Sequence, residues 1–340
     1  MSVLVTGATG FIGRHLVNTL RWDRNLPLIA LSRDPDTAAR LWSDSSVEVR
    51  RGDLERSHTL RGACEGVETV FHLAGCTYGE NALDPSAEAQ FLRAVFGGAE
   101  ALLAEAASVG VKRFVFVSSV KAMGEGGEAC LDESSPARPV STYGRAKLAA
   151  EEVVLEAGRG RGMHVSVVRL PLVYGPGNRG NIPRMIRAVD RGVFPPLADN
   201  GNRRSMVHVH DAVRALMLAA EQDAANQQVY IVTDKQVYST RRIYDMIREA
   251  LGLASRRWGV PVGVLRAAGA MGDVIGRVRG SPFPLDSRVL DKLIGSAWYS
   301  SEKISRELGF RPAYTLADAL PAMVAEYHGE KLPAEENLVG

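Results

Sequence analysis

Three glycines near the start of the chain constrain its fold more than any other feature. An apolar run over residues 3–5 leads into Gly7, Gly10 and Gly13, which are spaced G-x-x-G-x-x-G, and an amphipathic run follows over 11–20. The glycines allow a tight turn, close backbone approach and close strand–helix packing. A strand, a turn and a helix in this order offer backbone N–H groups to a pyrophosphate. The sequence therefore predicts a dinucleotide-binding unit here.

Strand-like runs alternate with helical runs through the first half of the chain. The predicted strands cover 28–31, 47–50, 69–73, 113–118 and 165–170, and the predicted long helices cover 87–109 and 142–156. Such βαβ alternation is typical of a parallel sheet with helices on both faces. We therefore expect an α/β fold, a Rossmann-type doubly wound parallel sheet over 1–170, with a smaller C-terminal substrate-binding lobe over 171–330.

The second half of the chain differs from the first in its pattern of prolines, glycines and apolar runs. Prolines and glycines after Pro171 predict a loop-rich segment. Beyond it the pattern predicts a strand over 205–209, a helix over 211–220 capped by Asp211, a strand over 228–233, a helix over 239–251 and two short helices within 300–328. Ser239 or Thr240 is the expected N-cap of the helix over 239–251. Part of 206–233 could rejoin the first sheet.

Composition narrows the classes of function. The 340 residues carry a formal net charge of +2 with both signs interspersed, so we expect no nucleic-acid groove and no membrane partner. No run reaches the roughly 20 apolar residues of a membrane span. The longest candidate, 258–278, predicts an amphipathic helix pair over the substrate side rather than a membrane-surface helix. The scattered Cys64, Cys76 and Cys130 fit a reducing cytoplasm, and no signal peptide is expected.

Tyr143 and Lys147 form the pattern Y-x-x-x-K on a predicted helix, and Ser118-Ser119 end a predicted strand upstream. Residues i and i+4 share one helix face. A phenol has an unperturbed pKa of about 10, and a nearby ammonium lowers it. The pair therefore predicts a tyrosine general acid/base, with a serine hydroxyl placed to bind the same substrate oxygen. The alternative is a surface helix whose Tyr and Lys only pack.

Taken together, T-G-x-x-G-x-x-G, H-L-A-G within 70–75, S-S, Y-x-x-x-K and the segment 204–211 resemble the extended short-chain dehydrogenase/reductase family. This family comprises NAD(P)-dependent nucleotide-sugar epimerases, dehydratases and reductases. The resemblance implies Tyr143 as the acid/base, Ser119 as the carbonyl polariser, and Lys147 as the group that holds the nicotinamide ribose and lowers the tyrosine pKa. It also implies that Asp53 faces the adenine ring. The full set of further cofactor contacts that it implies is Phe11, Ile12, Asp53, Leu54, Leu73, Ala74, Gly75 and Pro171.

The cofactor prediction depends on the end of the second strand. Members that prefer NAD usually carry an acidic residue there, whereas this chain has Arg33, and Arg14 follows the third glycine. Two guanidinium groups suit a 2′-phosphate, so NADP(H) is favoured. Asp34 follows directly and could bind the ribose hydroxyls instead, which keeps NAD(H) possible.

The substrate prediction also comes from the resemblance. Arg204 matches the arginine that grips the substrate diphosphate, since arginine binds phosphate in a bidentate way. Asn181 in the predicted loop and Lys121 after the strand end are further candidate contacts with a UDP-sugar. His208, His210 and Asp211 are interpreted as strand-end residues and a helix cap, so no metal site is expected.

Residues 117–126, 169–177 and 202–205 resemble bacterial reductases of UDP-linked 4-keto-6-deoxy-N-acetylhexosamines, which serve O-antigen or capsule synthesis. Similar sequences are described as UDP-glucose or UDP-N-acetylglucosamine 4-epimerases. The chain departs from the usual family pattern at Ala94-Val95, Leu172 and Ser205, and the last two weaken a plain epimerase interpretation. Reduction is the leading hypothesis, with a 4-epimerase or a non-catalytic dinucleotide-sensing scaffold as alternatives. A homodimer through 87–109 and 142–156 is also expected.

Overall fold

Ten strands are present in this computed structural model, which describes residues 2–24, 26–42, 46–75, 93–279 and 286–330. In chain order the strands are β1 Val3–Thr6, β2 Leu28–Ser32, β3 Val47–Arg51, β4 Thr69–His72, β5 Arg113–Ser119, β6 His164–Leu170, β7 Leu172–Tyr174, β8 Arg204–His208, β9 Gln228–Ile231 and β10 Val237–Tyr238. The larger sheet has the order β3-β2-β1-β4-β5-β6-β9, and its neighbouring strands are parallel. The predicted Rossmann-type α/β fold is confirmed.

Helices follow most of these strands. Within the described residues they are α1 Phe11–Arg24, α2 Pro35–Leu41, α3 Gly98–Ser108, α4 Thr142–Arg161, α5 Asn181–Asp190, α6 Val209–Glu221, α7 Thr240–Ala250, α8 Val262–Arg279, α9 Ser287–Ile294, α10 Glu302–Glu307 and α11 Leu316–His328. A π-helical turn, Arg93–Gly97, precedes α3. The first residues of the helix predicted over 87–109, and Cys76, lie outside the described residues.

Alternating side chains of the sheet strands enter two separate cores. On one face, Val3 and Val5 of β1 pack with α1 and α6. On the other face, Leu4 packs with α3 and α4. This is the two-sided burial that a parallel sheet requires, and it explains why β1 is an unbroken apolar run rather than an alternating one.

A three-stranded sheet of order β10-β8-β7 begins the second half of the chain. Its core holds Tyr174, Met206 and Tyr238 together with apolar residues of α5, α7 and α11. Strand β9 instead pairs with β6 in the larger sheet, with Val167 opposite Val229. One strand from 206–233 is thus shared with the first half, and the domain boundary near residue 170 stays a prediction.

Two predictions in this half were wrong in detail. Helix α6 begins at Val209, and its cap is His208, whose Nδ1 accepts the His210 N–H at 3.3 Å. Asp211 is buried and accepts the N–H groups of Ala313 and Tyr314 at 2.9 and 3.0 Å, so a distant loop uses the carboxylate that the sequence assigned to capping. Helix α5 lies within the segment expected to be loop-rich, and Ser239 caps α7 as one of the two predicted alternatives.

Helices α8 and α9 pack against each other as a pair. Leu265 of α8 and Leu290 and Ile294 of α9 form a small core with Leu197. Among the described helices, none is both long enough and apolar enough to span a membrane. The prediction of a helix pair over 258–278 was wrong in detail, because this segment holds the single helix α8 and its packing partner α9 begins beyond it, at Ser287.

Candidate active site

The turn between β1 and α1 shows why glycines stand there. Gly7 has a φ of +67°, and a Cβ on it would lie 2.8 Å from the Ala74 backbone nitrogen. A Cβ on Gly13 would lie 2.1 Å from the Gly7 carbonyl oxygen. The helical hydrogen-bond ladder begins with Arg14 N–H donating to Gly10 O at 3.0 Å, so the N–H groups of 11–13 precede it. This geometry fits a pyrophosphate above the helix N-terminus.

A cavity of about 360 Å³ lies on one side of this turn. It runs between the carboxyl ends of β1, β2 and β4, where ligands bind in open α/β sheets. Its walls include many of the predicted cofactor residues, namely Gly7, Gly10, Arg33, Asp53, Leu54, Leu73, Ala74 and Gly75. This half has the position expected for the adenosine part of a dinucleotide.

A second cavity, of about 300 Å³, lies on the other side of the turn. It shares Gly7, Gly10, Leu73 and Gly75 with the first, so the two halves meet above the N-terminus of α1. Apart from Arg14, which lines neither cavity, the other predicted cofactor and catalytic residues line this half, namely Phe11, Ile12, Gly13, Ser119, Tyr143, Lys147 and Pro171. The structure thus brings the proposed catalytic set to the end of the cleft opposite Arg33.

Strand alternation separates the two serines at the end of β5. Ser118 is buried and donates a hydrogen bond to the Glu151 carboxylate of α4. Ser119 is half-buried and lines the second cavity, where its Oγ accepts the Lys121 N–H at 3.2 Å. Ser118 also lines this cavity, but its hydroxyl is used by Glu151, whereas Ser119, which points to the opposite face of the strand, has a hydroxyl that can bind a substrate oxygen.

Burial raises the pKa of the Tyr143 hydroxyl, and a hydrogen bond with the Ser119 side chain opposes that shift. The sequence-based expectation was a pKa lowered by Lys147. The structure gives the opposite direction because the desolvation of a buried phenol disfavours the phenolate. Tyr143 is therefore protonated at neutral pH in this structure and can donate its proton.

Lys147 is buried beside the tyrosine, with only 3% of its surface exposed. Its Nζ donates to the Val117 carbonyl at 2.9 Å and lies 4.6 Å from the centre of the Phe116 ring. Burial lowers the pKa of Lys147 to about 8, while the Glu151 carboxylate acts in the opposite direction. The ammonium group can therefore gain or lose a proton near neutral pH.

At the end of β2, Asp34 and Arg33 differ in what their side chains contact. The Asp34 carboxylate caps α2, since Oδ1 accepts the Thr37 N–H at 3.1 Å and Oδ2 accepts the Thr37 hydroxyl at 2.6 Å. The Arg33 side chain is 70% exposed, with Nη1 3.9 Å from Glu55. Arg14 does not lie beside Arg33 as the predicted pair of guanidinium groups requires, because its guanidinium lies 3.5 Å from the Gly177 carbonyl oxygen.

A model of the NAD dependent epimerase/dehydratase family matches residues 3–233, which include the glycine turn, both cavities and the strand β9. The chain belongs to this family. Its members are NAD-dependent enzymes, so the expected family and the expectation of an enzyme are confirmed.

Individual relatives of this epimerase/dehydratase chain span nearly its whole length. A UDP-glucose 4-epimerase of Vibrio cholerae is 27% identical over 93% of this chain and 92% of its own. A dTDP-glucose 4,6-dehydratase of Streptomyces griseus is 30% identical over 96% and 94%. The structure of MoeE5 in complex with UDP-glucose and NAD covers 97% of this chain and 99% of its own, with 29% identity and a TM-score of 0.73.

Of the predicted substrate residues of the epimerase/dehydratase chain, Ser119 lines the second cavity, whereas Lys121, Asn181 and Arg204 lie outside both cavities. Lys121 pairs with Glu125 at 2.5 Å. Arg204 donates to the carbonyl of Gly295 at 2.9 Å and to that of Lys292, so its guanidinium holds the end of α9. Asn181 is exposed and begins α5, which corrects its predicted place in a loop. Among the described residues, no group of three potential metal ligands is present.

Sequence reasoning missed a buried ion pair beneath the catalytic set. Glu151 and Arg169 are 2% and 6% exposed, and the Arg169 Nε and Nη2 donate to the two carboxylate oxygens at 3.0 and 2.6 Å. Tyr143, Lys147 and Glu151 are spaced i, i+4 and i+8, so they form one line along α4. That spacing is the signal by which the sequence could have identified Glu151.

Proposed function

We propose that this enzyme transfers a hydride at C4 of a UDP-linked sugar, and most readily reduces a 4-keto-6-deoxy-N-acetylhexosamine. One observation carries the proposal: a dinucleotide-shaped cleft ends at Ser119, Tyr143 and Lys147. When bound, the nicotinamide supplies the hydride. The glycine turn would hold the pyrophosphate, and the residues of the first cavity would hold the adenosine.

Tyr143 has the protonation state that reduction needs. A ketone that receives hydride becomes an alkoxide and must gain a proton, and burial keeps the Tyr143 hydroxyl protonated. Ser119 lines the same cavity and would donate its hydroxyl hydrogen bond to the ketone oxygen. This hydrogen bond strengthens as negative charge develops on the oxygen, which favours the transition state over the ground state.

Lys147 would restore the proton that Tyr143 gives up. Its pKa of about 8 lies close to neutral pH, so the ammonium releases a proton more readily than an ordinary lysine. The Val117 carbonyl fixes its Nζ on the cleft side of β5. The side chains aligned along α4 would thus connect the reacting oxygen, through Tyr143, with the ammonium group of Lys147.

The inferred substrate class comes from relatives. MoeE5 binds UDP-glucose with NAD, and the Vibrio cholerae relative is a UDP-glucose 4-epimerase. We infer a UDP-sugar for this chain, with Arg204 at the diphosphate and Lys121 and Asn181 as further contacts. For Arg204 to grip the diphosphate, its guanidinium would exchange the carbonyls at the end of α9 for phosphate oxygens.

A 4-epimerase with retained NAD is the second candidate, and these same relatives favour it. Epimerisation would use the same side chains, because Tyr143 would take the proton of the sugar hydroxyl in the first half-reaction and return it in the second. Ser205, where the resemblance expects aspartate, is buried, and its Oγ accepts the Tyr299 N–H at 2.9 Å. Ser205 therefore has a structural role in holding the backbone at Tyr299. The third hypothesis, a non-catalytic scaffold, is not supported, since the chain belongs to a family of enzymes.

The deciding experiment incubates the purified protein with NADPH or NADH and two groups of substrates. One group contains UDP-4-keto-6-deoxy-N-acetylhexosamines, and the other contains UDP-glucose and UDP-N-acetylglucosamine. We expect stoichiometric consumption of reduced cofactor with a keto sugar and formation of the 4-hydroxy product. Interconversion of UDP-hexoses without net absorbance change would establish the epimerase, and no turnover in either group would overturn both.

The cofactor proposal is a preference for NADP(H), supported by the exposed Arg33 side chain at the first cavity and by the capping role of Asp34. Replacing Arg33 by alanine should weaken NADPH binding about 10- to 100-fold, since a hydrogen bond to a charged group contributes about 1.5–3 kcal/mol. NADH binding should change by less than about twofold, because NADH lacks the 2′-phosphate. Fluorescence titration of both cofactors measures this.

Arg61→Ala removes another exposed arginine and is the matched control. Equal binding of NADPH by the Arg33→Ala variant and the parent would contradict the assignment. In that case tighter binding of NADH by the parent would identify an NAD-specific enzyme. The homodimer through 87–109 and 142–156 stays a prediction that a solution mass measurement decides.

A further inference from the structure

Helix α8 exposes an apolar stripe along its length. Val264, Met271 and Val274 have 58%, 64% and 56% of their surface exposed. Their spacings of seven and three residues place them on one face of the helix, and the exposed Ala267 lies on the same face. Single exposed apolar side chains are ordinary, whereas an aligned series marks a surface that contacts something apolar.

A different face of α8 holds the helix on the protein. Leu265, Gly269 and Gly272 are buried, and their spacing of four and three residues forms a second, separate line. A Cβ on Gly269 would come within 3.3 Å of the Ser287 Cα, so α9 approaches closely there. Because this line supplies the packing, the fold does not need Val264, Met271 and Val274 to be apolar.

The charge of this segment is strongly positive. Residues 255–279 contain one acidic residue, Asp273, and five arginines. The Asp273 Oδ1 accepts the Ser287 N–H at 3.2 Å, so it serves the contact with α9. All five arginines are exposed, namely Arg256, Arg257, Arg266, Arg277 and Arg279. On the helix, Arg266 and Arg277 lie together at one flank of the apolar stripe.

Trp258 lies four residues before α8 and is 59% exposed. Its backbone is fixed, because Arg241 donates to the Trp258 carbonyl at 3.1 Å and to those of Leu197 and Arg256. Val260 then pairs with Leu197 in an isolated bridge. An indole presented to solvent on a fixed backbone is the side chain that best suits a boundary between water and lipid.

We propose that α8 and the segment before it dock flat on an anionic lipid bilayer. Val264, Met271 and Val274 enter the boundary between headgroups and acyl chains, and the arginines contact the lipid phosphates. A basic flank beside an apolar stripe, on a helix that cannot span the membrane, is the pattern of an interfacial helix. The proposal departs from the sequence-based expectation, which preferred a helix pair over the substrate side to a membrane-surface helix.

Charge argues against a second copy of the chain as the occupant of this face. A two-fold interface would place the surface against itself and bring the five arginines of one copy near those of the other. Anionic phosphates instead neutralise them, and their attraction adds to the burial of the apolar stripe.

The test is co-sedimentation of the full chain with vesicles. We expect binding to vesicles of phosphatidylcholine with 30% phosphatidylglycerol, about tenfold stronger than binding to pure phosphatidylcholine vesicles, and a steep loss of binding as salt rises. Equal or absent binding in the two compositions would overturn the proposal. This comparison uses the unmodified protein, so a folding defect in a variant cannot obscure it.

Two variants with matched controls locate the surface. Met271→Asp/Val274→Asp and Trp258→Ala should each lower binding to the anionic vesicles about tenfold or more. Val193→Asp and Trp22→Ala alter side chains that are 72% and 83% exposed elsewhere and should bind like the parent. Equal loss in the controls would overturn the proposal, as would a solution mass that halves only in Met271→Asp/Val274→Asp, because the face would then join two copies.

Discussion

Replacing Tyr143 by phenylalanine is expected to lower kcat about 10²- to 10⁴-fold, the usual contribution of a positioned general acid. The ring stays in place, so the second cavity keeps its shape and only the hydroxyl that hydrogen-bonds with Ser119 is lost. Cofactor affinity should change by less than about twofold, because the adenosine half of the cleft lies beyond the glycine turn. Steady-state rates with the keto sugar, together with cofactor titration, measure both quantities.

Tyr327→Phe is the matched control, since this half-buried tyrosine lines neither cavity and its hydroxyl donates to the Asp190 carboxylate at 2.8 Å. It should keep the parent rate. A Tyr143→Phe enzyme with the full rate would show that another group supplies the proton. Failure of Tyr143→Phe to bind cofactor would show instead that the tyrosine organises the cleft, and a scaffold that only senses dinucleotide should not respond to the loss of the hydroxyl.

The parts of the site that the sequence predicted are those fixed by local geometry. The turn at Gly7 and Gly13 needs residues without a Cβ, and that requirement is visible in the spacing of the glycines alone. Tyr143 and Lys147 share a face because of helical periodicity, which needs no tertiary information. Both features therefore appear in the structure where the sequence placed them.

The parts that the sequence did not predict depend on distant partners. Asp211 is a residue type that often caps helices. Its carboxylate instead accepts the backbone N–H of Ala313 in a distant loop, and His208 caps α6. The pKa of Tyr143 rises because of burial, which only the packed structure determines. Helix α5 was missed because Pro183 suggests a break, although a proline in the first turn of a helix leaves its hydrogen bonds intact.

The ion pair between Glu151 and Arg169 joins α4 to β6 beneath the catalytic set, and breaking it should have the largest effect on stability. Glu151→Gln keeps the shape of the side chain but leaves the guanidinium of Arg169 buried without a counter-charge. We expect the free energy of unfolding to fall by about 3–5 kcal/mol, the usual cost of removing one partner of a buried pair. Urea unfolding monitored by circular dichroism measures it.

Glu152→Gln changes the exposed neighbour on the same helix and should alter stability by less than about 0.5 kcal/mol. The double variant Glu151→Leu/Arg169→Met removes both charges of the pair, and it should recover most of the loss because the guanidinium of Arg169 is no longer buried without a counter-charge. If it is as unstable as Glu151→Gln, packing rather than charge explains the effect.

The same carboxylate links stability to chemistry, because Glu151 raises the pKa of Lys147 against the larger effect of burial. Without that negative charge the ammonium is less stable, so the pKa of Lys147 should fall further below about 8. The limb of the pH–rate profile that reports Lys147 should then move to lower pH in Glu151→Gln, and Glu152→Gln should leave it in place. A limb that stays fixed in both variants would assign that ionisation to another group and would reduce Glu151 to a structural role.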